Sequence, residues 1–258
     1  MKKNFILLAA LGVFALSSCN KKTTTTNNAP ANNPPQVNTP SDAYGVLGVV
    51  RVLASYSTPS VPGVPSMDLD YKMGVAFAGF STTTGSATFD DAGNVSVNDS
   101  ALTKLSNNYY GFTPKGAPNG SDMGISTSSY TYNWNITGSS SVSAFTYTAS
   151  GYLPGIGKIN SSKEINTSSS YTVTLQTAPS NYDSVVWVMA GPSGSVSHIT
   201  GPGVTSYTFT AAEVGSLGKG ENSGLVQVAP YRITPFTKNG KKYYYVHESC
   251  ATMFGNLN

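Results

Sequence analysis

Apolar and polar residues alternate along much of the chain after residue 43. In the segment 67–77 every second residue is apolar, and the residues between them are Asp68, Asp70, Lys72, Gly74 and Ala76. The segment 130–136 repeats the pattern, with Tyr130, Tyr132, Trp134 and Ile136 on the apolar side. Because successive side chains of a strand point to opposite faces, this period of two predicts strands with one face in a core and one in water.

Further runs with strand character are 48–56, 86–89, 95–98, 142–148, 171–177, 184–189, 196–200, 206–210, 225–233 and 242–248. Turn residues separate them at 90–93, at 191–194 and at Asn239-Gly240, a dipeptide that is a strong hairpin signal. Single helical turns are predicted at 99–105 and 211–217. Many short strands with frequent turns favour an all-β fold of antiparallel sandwiches over βαβ units.

The division into domains follows from a break rich in glycine and proline at 153–157. It predicts one β-sandwich over 44–155 and a second over 156–258. The second segment has about six or seven strand runs, with Trp187 on an early one, and it resembles an immunoglobulin-like sandwich without the disulfide. A single continuous sandwich is the alternative.

The N-terminus carries a targeting signal. Lys2 and Lys3 precede an apolar run at 5–15, which is shorter than the roughly 20 residues of a membrane span. Small residues then lead into a cysteine, in the order Leu16-Ser17-Ser18-Cys19. This pattern resembles a bacterial lipoprotein signal. The resemblance implies a signal peptide at 1–18 and a diacylglycerol anchor on Cys19, with further acylation such as palmitate. An ordinary secretory signal with an incidental cysteine is the alternative.

Residues 19–43 are predicted to form a disordered tether behind the lipid. After Cys19 they are rich in Thr, Asn and Pro and contain no aromatic residue before position 44, so they can bury little apolar surface. Asn20 follows the lipidated cysteine, where the family's sorting rules place Asp for retention at the inner membrane. The resemblance therefore implies the outer membrane, with the periplasmic and extracellular faces both open.

Charge excludes one class of partner. Only 10% of residues are charged, and the 15 Lys and Arg include Lys2 and Lys3 of the signal, which leaves 13 basic residues against 12 acidic ones. A net charge near +1 provides no electrostatic surface for nucleic acid. The predicted partners are the membrane, through the lipid, and a glycan or a surface protein.

No catalytic, nucleotide-binding or metal-binding motif occurs in the chain, so we expect a protein that is not an enzyme and has no cofactor or bound metal. The two histidines, His198 and His247, lie within strand patterns, which favours packing roles. Asp68 and Asp70 are interpreted as the solvated side of a strand. The loop with Asp90, Asp91 and Asn94 has oxygen ligands that Ca²⁺ prefers but not the spacing of a calcium loop, and is interpreted as a turn. Cys250 is interpreted as a small buried apolar residue.

Adjacent tyrosines are the candidate ligand contacts. Consecutive residues of a strand must place rings on both faces, so Tyr109-Tyr110 and Tyr243-Tyr244-Tyr245 are predicted to expose some of their rings for stacking on a sugar. Asp99-Ser100-Ala101 and Asp183-Ser184-Val185 resemble the O-glycosylation sequence of one group of diderm bacteria, which makes Ser100 and Ser184 candidate glycan carriers.

The sequence leaves three alternative functions for the protein. The first is a non-enzymatic, lipid-anchored lipoprotein of the outer membrane or cell surface that acts as a binding or structural module. The second is a carbohydrate-binding accessory lipoprotein of a glycan-uptake system. The third is a fimbrial or pilus-anchoring subunit, because Arg51 lies in the first predicted strand, where some lipoprotein pilins are cleaved. The simpler interpretation of Arg51 is a charge that protects an edge strand from aggregation.

Overall fold

A computed structural model describes residues 40–57, 68–86, 88–112 and 130–258. Strands account for 58% of these residues and helix for 3%, which confirms the predicted all-β, sandwich-type fold. The elements are β1 (Gly45–Ser57), β2 (Asp68–Phe80), β3 (Val95–Val97), β4 (Ser100–Ala101), β5 (Thr103–Lys104), β6 (Tyr110–Phe112), β7 (Tyr130–Ile136), β8 (Phe145–Gly151), β9 (Glu164–Ile165), β10 (Tyr171–Thr174), β11 (Ser184–Gly191), β12 (Gly194–Thr200), β13 (Ser206–Phe209), α1 (Ala211–Gly215), β14 (Gly220–Lys238) and β15 (Lys241–Leu257).

One large sheet organises the described chain, in the strand order β12-β11-β14-β15-β1-β2-β6-β5, with β9 also paired to β15. Its neighbours pair antiparallel, except that β1 and β9 each run parallel to β15. The pairing of β1 with β15 extends from Val46 opposite Tyr244 to Ser55 opposite Met253. Strands from both predicted domains therefore share this sheet, and β1 is a central strand.

The two faces of the large sheet are both covered. Face A, which carries Leu47 and Val49 of β1, meets two separate layers. The four-stranded sheet β4-β3-β7-β8 covers one end and forms a cluster that includes Trp134. The two-stranded sheet β10-β13 and helix α1 cover the other end and form a cluster that includes Trp187. Both tryptophans are buried, as their alternating strands predict.

Face B is the opposite face of the large sheet and carries a third apolar cluster. Its members come from β1, β2, β11, β14 and β15, together with Phe89 and Tyr109. The alternation in 67–77 predicts a face of β2 in water, but Ala76 and Ala78 are fully buried against the four-stranded sheet. Such small residues are compatible with either environment, and here a second layer covers them.

Some of the predicted local elements agree with the structure and others do not. Helix α1 begins after Thr210, whose side chain accepts from the Glu213 N–H while Glu213 accepts from the Thr210 N–H. The predicted helical turn at 99–105 is absent, because Asn98 and Asp99 adopt positive φ and turn β3 into β4. Residues 86 and 88–89 are not strand, which differs from the run predicted at 86–89.

No helix among the described residues is long and apolar enough to cross a membrane.

The hairpin at Asn239-Gly240 confirms the turn prediction. Lys238 pairs with Lys241, and the two turn residues have φ of 50° and 73°, as a two-residue type I′ turn requires.

Replacing Gly240 by alanine is expected to lower the free energy of unfolding by about 1 kcal/mol. A Cβ there would meet no atom within 4 Å, so the cost comes from the positive φ alone. Denaturant unfolding measures it, with Gly201→Ala as the control, because Gly201 is equally open but has no positive φ. Equal losses in the two variants would contradict the backbone explanation.

Candidate functional site

Arg51 is the most unusual residue of the large sheet. It lies on β1 with only 3% of its surface exposed, and its Nη2 donates to the Pro154 carbonyl at 3.1 Å. Its Nε and Nη1 atoms have no hydrogen-bond partner among the described residues. The simpler interpretation of Arg51, an edge-strand charge, is therefore wrong, because β1 lies between β15 and β2.

Three further polar residues share face A with Arg51. Ser249 lies opposite Arg51 in the strand register, and Arg232 lies opposite His247. Ser249 and His247 are buried, and neither the Ser249 hydroxyl nor Arg232 Nε has a hydrogen-bond partner among the described residues. We call Arg51, Arg232, His247 and Ser249 the polar belt.

The polar belt separates the two apolar clusters of face A. Along β15, Tyr245 of the first cluster precedes His247, and Met253 of the second follows Ser249. The segment that the sequence marks as a domain break passes over the belt. The Pro154 carbonyl accepts from Arg51, and the Tyr152 carbonyl accepts from Arg232 Nη2 at 3.3 Å.

The polar belt carries the positive charges of its arginines and, among the described residues, no negative charge. Burial, and secondarily the charge of Arg232, lowers the pKa of His247 to about 4, so its imidazole is neutral at pH 7. Burial also lowers the pKa of Arg51, but the group remains charged because an arginine starts from a very high pKa. Among the described residues, no carboxylate forms an ion pair with Arg51 or Arg232.

Aromatic rings border the belt at His247. The Tyr245 and His247 rings meet edge to face, with centroids 4.7 Å apart, and Trp134 packs 6.2 Å from Tyr245. At the Arg232 end of the belt, a Cβ on Gly151 would lie 3.1 Å from Arg232 Nη2 and 3.8 Å from His247 Cε1. Glycine therefore keeps this end of the belt free of a side chain.

Face B holds a separate polar group. Glu248 lies next to His247 in sequence and points to the opposite face, fully buried, with no hydrogen-bond partner for either carboxyl oxygen among the described residues. Burial raises the pKa of this carboxyl well above its ordinary value, which favours its protonated, uncharged form. Burial and the proximity of Glu248 raise the pKa of Tyr109, whose hydroxyl is also unpartnered in the described structure.

Cys250 follows on the same face. It is a buried free thiol that contacts the Gln227 amide and the Thr252 hydroxyl. Burial raises the pKa of this thiol to about 12, which keeps it protonated and unreactive.

The candidate tyrosines differ from the expectation of exposed rings. Tyr109, Tyr110, Tyr243 and Tyr245 are buried, because both faces of the large sheet are covered. Tyr244 is half-buried, and its hydroxyl donates to Asp42 at 2.7 Å, beside the ion pair of Lys242 with Asp42. The consecutive tyrosines do alternate between faces as predicted, since Tyr243 and Tyr245 belong to the cluster on face A and Tyr244 packs on face B.

The other candidate residues lie apart from the belt. His198 packs on Tyr207, and its Nε2 atom bonds to Glu213. Asp91 caps the turn at 90–93 by accepting from the Gly93 N–H, and no group of three metal-ligating side chains occurs among the described residues. Ser100 and Ser184 are half-buried at the starts of β4 and β11. Cys19 lies outside the described residues.

The sequence interpretation missed Arg232, Ser249 and Glu248. The signal for Ser249 and Glu248 was the run Val246-His247-Glu248-Ser249-Cys250, in which polar residues occupy both faces of a strand flanked by aromatic and apolar residues. No protein-family model matches the chain, and no curated protein has a similar sequence.

Proposed function

We propose that this protein is a non-enzymatic, lipid-anchored lipoprotein of the outer membrane or cell surface that acts as a binding or structural module. The observation that carries the proposal is the short apolar run ending in Leu16-Ser17-Ser18-Cys19. Two or three acyl chains on Cys19 would hold the protein on a leaflet essentially permanently.

The position of the first described residues is compatible with a lipid anchor on Cys19. Asp42 is fixed by Lys242 at 2.6 Å and by Tyr244, so the chain joins the folded part at the start of β15. The roughly 23 residue steps from Cys19 to Asp42 can span at most about 80 Å when fully extended. A lipid on Cys19 would thus leave the sheet free to meet a partner away from the membrane surface.

The chemistry of the described side chains supports a role without catalysis. The Cys250 thiol is protonated and buried, and His247 is neutral and enclosed. His198 is bonded to the glutamate of the helix cap. These groups are therefore engaged in packing and hydrogen bonding, which is compatible with a rigid recognition scaffold.

A carbohydrate-binding accessory lipoprotein is the second candidate. Tyr152 is 55% exposed, and its carbonyl accepts from Asn181 Nδ2 at 3.2 Å and from Arg232. An exposed tyrosine ring has the chemistry for stacking on a sugar, and the amide and guanidinium that bind its backbone carbonyl hold this segment in place. Glycan-array binding that is lost in Tyr152→Ala would support this candidate.

The fimbrial alternative has less support. It requires cleavage after Arg51, which is buried in a central strand and held to Pro154. A protease would reach this bond only after the large sheet had opened.

Changing Cys19 to alanine is expected to move the protein from the membrane fraction to the soluble fraction, because the lipid attachment atom is lost. Fractionation followed by immunoblotting measures this, and incorporation of labelled palmitate should disappear in parallel. Cys250→Ala is the matched control and should remain in the membrane fraction. A Cys19→Ala protein that stays with the membrane would remove the lipoprotein proposal.

A further inference from the structure

The buried charge of Arg51 lacks a counter-charge in the described structure. Moving a charged group out of water costs several kcal/mol unless the group is paired or well hydrogen-bonded. Arg51 has one hydrogen bond, to Pro154, and its Nε and Nη1 donors are unsatisfied. Arg51 therefore has donors that a bound acceptor would satisfy.

The surrounding groups also have hydrogen-bond donors without a partner. The Ser249 hydroxyl and Arg232 Nε have no partner among the described residues, and they lie on the same face as Arg51. The backbone acceptors at the belt, the carbonyls of Pro154 and Tyr152, each already receive one guanidinium nitrogen. The belt thus has more donors than acceptors and an excess of positive charge.

The acidic residues of the described chain do not fill this gap. Glu248 points to face B, away from Arg51, and Asp183 accepts from the Ile233 N–H. In the register of β2, Gly74 lies opposite Arg51, and the nearest acidic position, Asp70, is four residues farther along. At about 3.3 Å per residue this is some 13 Å away.

We propose that the polar belt is a binding site for a small oxyanion, a phosphate, sulfate or carboxylate group, held chiefly by Arg51 and Ser249 and approached past Arg232. A guanidinium fork matches two oxygens of such a group, and the hydroxyl supplies a further donor. Gly151 leaves the Arg232 end without a side chain, and the site lies at the junction of two packed layers, where ligand sites are common. The proposal is independent of the lipid anchor.

The test is calorimetric titration of the full-length chain in detergent with sodium phosphate, sulfate or acetate, against sodium chloride at equal ionic strength. Saturable binding of at least one of the three at millimolar concentration or below is expected. Phosphate and sulfate are tetrahedral, whereas the carboxylate of acetate is planar. Which of them binds more tightly shows whether the ligand is of the phosphate or sulfate type or is a carboxylate. Binding of none of them would mean that water alone solvates Arg51, and would overturn the proposal.

Two variants locate the binding. Arg51→Met is expected to weaken it at least about tenfold, and Ser249→Ala, which removes only one hydroxyl, about fivefold. Without a probe, Arg51→Met should unfold at the same temperature as the unchanged protein or higher, because a buried unpaired charge is removed. Lys104→Gln is the control, since Lys104 is an exposed cation paired with Asp91. Binding that survives in Arg51→Met and Ser249→Ala, or that falls equally in Lys104→Gln, would assign the anion to the surface and overturn the proposal.

Discussion

Replacing Glu248 by glutamine is expected to stabilise the protein at neutral and alkaline pH and to leave it nearly unchanged near pH 4.5. Burial raises the pKa of this carboxyl well above its ordinary value. The folded protein therefore keeps a proton that the unfolded chain releases above about pH 4.3. Stability that depends on this proton is complete below that pH and is lost as the pH rises towards the pKa of the folded state.

The groups that face Glu248 do not reverse this effect. Tyr231 and Val50 are its neighbours in the register, and Tyr109 and Cys250 have pKa values raised mainly by burial, so both remain neutral. With no cation among these neighbours, the free energy of unfolding should fall by up to about 1.4 kcal/mol per pH unit above pH 5. Glu248→Gln removes the titrating proton and should flatten this slope.

Urea unfolding at intervals between pH 4.5 and 8.5 measures the slope in each protein. Glu213→Gln is the matched control. Burial raises the pKa of Glu213, but hydrogen bonds from the Thr210 N–H and from His198 lower it below its ordinary value. A carboxyl with a lowered pKa does not destabilise the folded protein at alkaline pH. Replacing Glu213 should therefore leave the slope unchanged. If the unchanged protein and Glu248→Gln have parallel profiles, Glu248 is ionised and solvated in the folded state.

The sequence predicts those features of the fold that depend on neighbouring residues. Asn239-Gly240 determines a two-residue turn because both positions accept positive φ, and Thr210 with Glu213 caps the short helix. Trp134 and Trp187 are buried because alternation assigns them a face. The parallel pairing of β1 with β15 joins segments about 200 residues apart, and alternation along one strand contains no information about such a partner.

The candidate site could be predicted only in part for the same reason, because it depends on which distant strands pair. A strand covered on both faces buries most of what its sequence places there, so Tyr243 and Tyr245 of β15 are core residues and Glu248 is a buried acid. Arg51 was recognised from its place in the first strand, but its environment depends on β15 and on the segment after β8. Arg232 and Ser249 acquire their significance only from the register that brings them to the belt.

Replacing His247 by glutamine is expected to make the protein less sensitive to acid. Burial, followed by the charge of Arg232, lowers the pKa of His247 to about 4, whereas an unfolded histidine has a pKa near 6.5. Protons therefore bind the unfolded chain first as the pH falls. The stability associated with the neutral ring is complete above about pH 6.5 and is lost between there and pH 4, a loss on the order of 3 kcal/mol.

The charged and titratable groups around His247 favour this direction. Arg232 faces it from β14, Arg51 lies two residues along β1 from the position opposite His247, and the Tyr245 ring packs on the imidazole. Burial and the guanidinium of Arg232 oppose a further positive charge here, so the ring resists protonation until the sheet opens. Buffers free of phosphate, sulfate and carboxylates avoid a bound anion that would raise the pKa of His247.

Chemical unfolding between pH 7 and pH 4.5 compares the two proteins, because the carboxylates with lowered pKa values, such as Asp42 and Asp91, add their own losses mainly below that range. The difference in unfolding free energy should shift in favour of His247→Gln as the pH falls. His198→Gln is the control and should keep the full acid loss, since His247 remains in place. A profile for His247→Gln as steep as that of the unchanged protein would show that the imidazole is already protonated or solvated at pH 6, and that the belt is open to water in the folded state.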